Sequence, residues 1–223
     1  MTVSPYKLAS LLLQYPTSAL FDGLDQLDDA ATGVSPRSSR DAFVRFLAWL
    51  RATSPTEVAQ HYVETFDLRR RCALYLTYYR YGDTRKRGMS MVAVKTAYRT
   101  AGFTPTDDEL PDYLPMVLDF AALSARGEAM LRAHRADLEL LRRALKEAET
   151  PYADVLNAVC AQLPRLGRRD VSLVDRAWTD GPPKEEVGLE PFAPPDYMTG
   201  AGAPKASGRE AGTALGRWVG TRT

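Results

Sequence analysis

Cysteine is nearly absent from this sequence: Cys72 and Cys160 are the only two in 223 residues, far apart and without the spacing of a CxxC pair or a small disulfide framework. Stability must then come from a packed core, and the reducing cytoplasm is the expected compartment. Histidine is as scarce. His61 and His134 stand in separate segments, which excludes HExxH and paired Cys/His zinc sites; Glu57 with His61 at i, i+4 reads as a helix-surface contact. The chain contains no GxSxG elbow, no GxxxxGK[ST] phosphate loop and no GxGxxG following a strand, so acyl-transfer and nucleotide chemistry lose their usual handles and no enzyme is expected. An excess of either charge is missing as well. Twenty-nine Lys and Arg against 28 Asp and Glu leave +1, too little for whole-molecule steering toward nucleic acid or an anionic membrane. No apolar run approaches the ~20 residues of a membrane span, and Gln14 and Pro16 end the Leu11 to Leu13 run before it could serve as a signal-peptide core.

What is present is helical periodicity, with hardly any period-2 runs up to Pro164. The spacing predicts a helix over 5–15 that stops at Pro16, and a second, capped by Ser18, with Leu20, Phe21, Leu24 and Leu27 on one face. After a turn at Gly33, Ser35-Pro36 opens a helix whose Phe43, Phe46, Leu47 and Leu50 form an i, i+3, i+4, i+7 stripe. Ser54-Pro55-Thr56-Glu57 has the pattern of a capping box and starts a helix carrying Val58, Tyr62 and Phe66. Residues 72–81 suit helix or strand by composition; their helical surroundings favour helix. Further helices are expected over 89–99 with Gly102 as its cap, from Leu110 to Leu123, through Met130, Leu131, His134, Leu138, Leu141 and Leu145 as one long element, and after Thr150-Pro151. The expected fold is an all-α, single-domain multi-helix bundle over residues 1–166. Residues 167–223 are rich in proline and glycine and predict a disordered tail, interrupted by Val187 to Phe192 and Leu215 to Val219.

Acidic residues carry no paired-carboxylate signature; Asp107, Asp108 and Glu109 suit a helix N-terminus. Cys72 beside Arg69, Arg70 and Arg71 reads as a buried structural cysteine or, if the side chains converge, an activated thiol. The unusual feature is density: Tyr62, Phe66, Tyr75, Tyr78, Tyr79 and Tyr81 are interleaved with Arg69, Arg70, Arg71, Arg80, Arg85, Lys86 and Arg87. Three readings fit: a tyrosine-edged core with a solvated basic loop, a nucleic-acid surface with bases stacked on rings, or a groove for an amphipathic peptide lined by aromatics with Met89 and Met91.

Four segments extend this pattern: residues 62–67 (YVETFD), 71–76 (RCALYL), 81–89 (YGDTRKRGM) and 108–115 (DELPDYLP). In order and spacing they resemble the NarJ family of nitrate reductase molybdenum-cofactor assembly chaperones, within the TorD-like redox-enzyme maturation proteins. The resemblance covers residues 5–164. It implies an all-helical chaperone that binds the catalytic large subunit of a respiratory nitrate reductase, including its N-terminal segment. It implies also that molybdenum bis-MGD is inserted into that client before membrane docking, with no cofactor held permanently by the chaperone, no nucleic-acid partner and no membrane insertion. Carried over by position, the peptide-binding residues are Tyr62, Glu64, Phe66 and Asp67, then Arg87 and Met91, then Leu110, Pro111, Asp112 and Tyr113. Many relatives have histidine where Tyr113 stands, which removes an imidazole from any pH-dependent release. The alternative is a helical adaptor or regulator that binds another protein, or a nucleic acid, through the Arg69 to Arg87 region.

Overall fold

The chain folds on the stripes that its sequence repeats. A computed structural model describes residues 3–82, 84–105 and 109–181. Helix α1 (Pro5–Leu12) is followed by α2 (Ser18–Asp22) and α3 (Leu24–Thr32), which Gly23 separates where one continuous helix is expected. The stripe Phe43, Phe46, Leu47 and Leu50 is buried on α4 (Arg37–Ala52). The predicted capping box is formed at α5 (Pro55–Tyr62): the Ser54 hydroxyl accepts from the Glu57 amide while Glu57 accepts from the Ser54 amide.

Residues 72–81 depart from expectation. A 3₁₀ turn, Arg70–Cys72, leads into an extended stretch, and only Tyr78–Tyr81 (α6) is helical. The reason lies far along the chain, where residues around Asp112 hydrogen-bond this stretch and hold it extended. Helix α7 (Arg85–Thr100) ends as predicted at Gly102, whose φ of 81° lets the Gly102 and Phe103 amides reach the carbonyls of Arg99 and Tyr98.

Helix α8 (Leu114–Leu123) is apolar nearly all round and buries Leu114, Val117, Leu118 and Phe120. The expected long helix is two, α9 (Ala125–Ala133) and α10 (Arg135–Glu147), broken at His134, whose Nδ1 lies 2.8 Å from Asp137 Oδ2. Helix α11 (Tyr152–Ala161) completes the centre, with α1 against α8 and α11, α4 against α11, and α10 against α11.

These central helices approach through small residues. The buried Ser10 hydroxyl donates to the Pro115 carbonyl (2.8 Å), and that of Ser39 to the Ala158 carbonyl (2.9 Å). At Gly127 of α9 a Cβ would stand 2.5 Å from backbone atoms of Phe120 and Ala121. Tyr152 occupies the middle of the core, with Phe46, Phe66, Trp49, Tyr62 and His61 around its ring.

The boundary placed at residue 167 shifts. Helix α12 (Arg168–Asp180) forms within the stretch whose composition predicts disorder, because its few apolar residues recur at helical spacing. Val174 is buried with α12 packed on α10, Asp175 pairs with Arg143 at 2.8 Å, and Trp178 lies under the Arg71 guanidinium. The rest of the expected tail, including Val187 to Phe192 and Leu215 to Val219, lies outside the described residues.

Candidate functional site

Helix α5 does not simply stop. Over Val63–Asp67 it widens into a π turn, in which the Leu68 amide reaches back to the Val63 carbonyl at 3.1 Å. Such turns change the helical phase and are frequent at functional sites. Here Tyr62 and Phe66 both stay inward, their ring centroids 4.8 Å apart, while Glu64, Asp67 and Leu68 face solvent. Leu68 is 74% exposed, an apolar side chain directly beside a carboxylate.

Past the 3₁₀ turn, the extended stretch meets the segment before α8 as an isolated antiparallel bridge between Tyr75 and Tyr113. The Leu76 amide donates to the Asp112 carbonyl (2.9 Å) and the Leu114 amide to the Leu74 carbonyl (2.8 Å). Asp112 is fully buried, and its Oδ2 accepts from the Thr77 hydroxyl (2.6 Å) and amide (3.3 Å), with Arg87 Nη2 at 3.5 Å. The Arg87 guanidinium also lies over the rings of Tyr75 (5.2 Å) and Tyr78 (5.6 Å). One arginine therefore ties the start of α7 to both sides of the bridge.

These contacts align a row of aromatic side chains. Tyr15 stands edge-on to Tyr62 (5.4 Å); the Tyr62 hydroxyl donates to the Leu13 carbonyl (3.2 Å) and lies 3.4 Å from the Tyr113 hydroxyl; Tyr113 packs on Tyr75 (5.9 Å). Tyr75 in turn donates to Glu109 Oε1 at 3.2 Å. Burial, more than neighbouring charge, pushes the Tyr62 and Tyr113 hydroxyls above the usual phenol range, and it takes Tyr75 to about 12. Tyr62, Tyr75 and Tyr113 are therefore uncharged at physiological pH. The row's acidic edge comes from Glu64, Asp67 and Glu109.

The ten residues expected to bind peptide fall into two groups. Tyr62, Phe66, Pro111 and Asp112 are buried, so in this conformation they form the floor and do not offer contact surface. Pro111 serves through its backbone, its carbonyl accepting from the Tyr98 hydroxyl (3.2 Å). Glu64, Asp67 and Leu110 are exposed, Tyr113 and Arg87 are partly exposed, and Met91 is half-buried on α7. Sequence reasoning missed Tyr15, which is 52% exposed at the end of the row, and Leu68. The signal for Tyr15 was an aromatic residue just before Pro16; for Leu68 it was an apolar residue following Asp67. Beside Tyr15, between α1 and the α2–α3 pair, opens a mainly apolar cleft of 420 Å³ lined by Leu11, Leu20 and Leu27 among others. Tyr79 is buried, as an ordinary core tyrosine would be.

Among the described residues no group of three His, Cys, Asp or Glu side chains gathers to hold a metal ion, and no helix is long and apolar enough to cross a membrane. Burial raises both thiols to about 11, so the nearby arginines do not activate Cys72. The surface is therefore suited to grip apolar and cationic groups of a partner.

Residues 35–158 match the nitrate reductase delta subunit family. The chain belongs to this family. Among its relatives, the nitrate reductase-like protein NarX of Mycobacterium tuberculosis H37Rv is 40% identical over 157 residues, 70% of this chain and 24% of NarX. The probable nitrate reductase molybdenum cofactor assembly chaperone NarJ of Bacillus subtilis is 30% identical over 167 residues, 74% of this chain and 91% of that protein. The corresponding NarJ chaperone of Escherichia coli K12 is 32% identical over 150 residues, 66% of this chain and 64% of that NarJ. The chain thus spans about a quarter of the length of NarX. The delta subunit match contains the π turn, the bridge, Arg87 and all ten expected residues, whereas α12 and Tyr15 lie outside it.

Proposed function

We propose that this chain is a cytoplasmic assembly chaperone for a nitrate reductase, and that it binds the N-terminal segment of the large subunit while the client receives its molybdenum bis-MGD cofactor. The observation that carries this reading is coverage: the similarity to B. subtilis NarJ runs over 91% of that chaperone. The aromatic row agrees with it physically. Tyrosines held by packing present broad apolar surface with little rotamer freedom left to lose, which suits reversible capture of an extended or helical peptide.

Leu68, Leu110, Tyr113 and Tyr15 supply the apolar contacts in this reading, and Glu64, Asp67 and Glu109 attract the amine and basic side chains of the segment. Three or four apolar anchors at ~1.5–3 kcal/mol each, offset by the costs of association and ordering, correspond to roughly micromolar affinity. That strength allows release. The cofactor belongs to the client in this scheme, and the chaperone's part is to hold the client.

Calorimetric titration with the N-terminal peptide of the cognate large subunit tests the surface: saturable heat, weakened in Leu110→Asp, is expected, and no heat at high micromolar peptide would sink it. Molybdenum content of the large subunit from cells lacking this chain tests the maturation role, which full loading would refute.

An adaptor or nucleic-acid role for the Arg69 to Arg87 region finds less support. Arg70 donates to the Tyr78 hydroxyl, Arg71 faces Trp178, Arg80 pairs with Asp137 and Arg87 with Asp112, so these cations are engaged within the fold.

A further inference from the structure

A second cleft, which shares no residue with the aromatic row, lies where the first turn of α4 meets α10 and the C-terminal half of α11. It has a volume of 390 Å³ and a mainly polar lining that includes Ser38, Arg135, Arg142, Asn157, Cys160 and Arg165. Its charge is lopsided. Arg135 and Arg142 both bind Glu139, at 3.2 Å for Arg135, and Arg143 approaches the same carboxylate at 3.5 Å while also pairing with Asp175. Glu139 is buried behind the cleft, and its lining residues include no carboxylate. Lys146 adds further positive charge near Cys160.

One carboxylate thus serves two lining guanidiniums, and a third, on Arg165, is exposed at the cleft without an ion pair among the described residues. The arrangement leaves donors unspent. Arg135, part-exposed and paired with Glu139, has a buried Nε with no hydrogen-bond partner among the described residues, an orphaned donor of the kind a bound ligand completes. Arg142 reaches Asn157 Oδ1 at 3.1 Å, and Asn157 Nδ2 donates to Asp154 at 3.2 Å, so the amide orients Arg142 rather than neutralising it. Ser38 contributes a hydroxyl from the first turn of α4, the positive end of the helix dipole, which favours negative charge.

We propose that this cleft is an anion site that takes a phosphate group, held by Arg135, Arg142 and Arg165 with the Ser38 hydroxyl as a further donor. Forked guanidiniums match the tetrahedral oxyanion better than a monovalent halide. The volume accommodates a small phosphorylated molecule rather than phosphate alone.

The test uses the full chain and inorganic phosphate, followed by amide chemical shifts and by melting temperature, with chloride at matched ionic strength as control. Saturable shifts at Ser38, Asn157 and Arg165 with half-saturation near ~1 mM are expected, together with a phosphate-dependent rise in melting temperature that chloride does not reproduce. Ser38→Glu places a carboxylate in the cleft at a helix position that tolerates acid, so it should remain folded yet weaken phosphate about tenfold. Arg165→Glu, at an exposed position, should do the same. Equal shifts with chloride, no saturation, or phosphate binding unchanged in both variants would each overturn the site. None of these outcomes depends on a client peptide, so failure here leaves the chaperone reading standing and the reverse also holds.

Discussion

The main core and the chain between Tyr81 and Asp112 are built on different physics. In the first, α1, α4, α8 and α11 approach through Ser10, Ser39 and Ala158, α9 joins through Gly127, and Tyr152 fills the centre; shape is set by volume. In the second, Val94 and Tyr98 join Phe120 in a small separate cluster, and the start of α7 is fastened by one arginine to a buried carboxylate and two rings. Met89 on α7 is 72% exposed. Dense apolar packing makes a region rigid, whereas a few polar fastenings can open singly, and ligand-responsive segments are drawn from that less stable end. The aromatic row lies along the join between the two.

This contrast can be broken most severely at its centre. Tyr152→Ala would leave a cavity ringed by Phe46, Trp49 and Phe66 and should cost about 4 kcal/mol, lowering the melting temperature by roughly 10 °C. Next comes Gly127→Ala. Its new Cβ would meet backbone rather than a movable side chain, so about 2–3 kcal/mol is expected by chemical denaturation, and a wild-type midpoint would mean that α8 and α9 are not closely packed.

Arg87→Met should act on the other region alone. Hydrogen exchange in α7 is expected to quicken about tenfold or more, corresponding to about 1.4–2 kcal/mol of local opening, while α4, α8 and α11 keep their rates. Uniform acceleration would erase the distinction drawn here. Glu149 has φ of 52° in the turn after α10, where the Glu149 and Thr150 amides reach the Lys146 and Leu145 carbonyls, the same motif that Gly102 completes after α7. Glu149→Gly should therefore stabilise by about 1 kcal/mol.

The mildest expected effect is pH-dependent. Burial holds the His61 imidazole below its usual pKa, beside Trp49 and Tyr152 and 2.7 Å from the Thr150 hydroxyl. The unfolded chain then binds the proton more readily, so the stability from neutral His61 is complete above about pH 6.5 and falls as acid is added below it. Thermal melts from pH 7.5 to 5 should show this decline, and His61→Gln should flatten it.

Local patterns were legible wherever their causes were local. The box at Ser54 and Glu57, the α4 stripe and the Gly102 cap each need only a few neighbouring residues. Residues 72–81 were misjudged because what keeps them extended is Asp112, 35 residues beyond Thr77. The break at His134 was hidden because the apolar spacing continues across it. In the candidate site the identity of the residues was legible but not their exposure: Tyr62 and Phe66 look like a groove lining in sequence, yet the π turn sends both inward and leaves Leu68 outside. Helix α12 escaped a compositional reading because Val174 and Trp178 are few in number but correctly spaced.

The bridge between Tyr75 and Tyr113 has a topological consequence. Leu76 and Asp112 are joined by a direct backbone hydrogen bond, and between them the chain first keeps Tyr79 in the main core and pairs Arg80 with Asp137 before it departs into α7. Everything in between is a loop whose mouth is already closed, so its length hardly alters the rest of the fold, since closure entropy grows only slowly with length. Grafting the corresponding excursion from a relative at these two points, with Tyr79 and Arg80 kept, would exchange one face of the molecule and leave the core's connectivity intact.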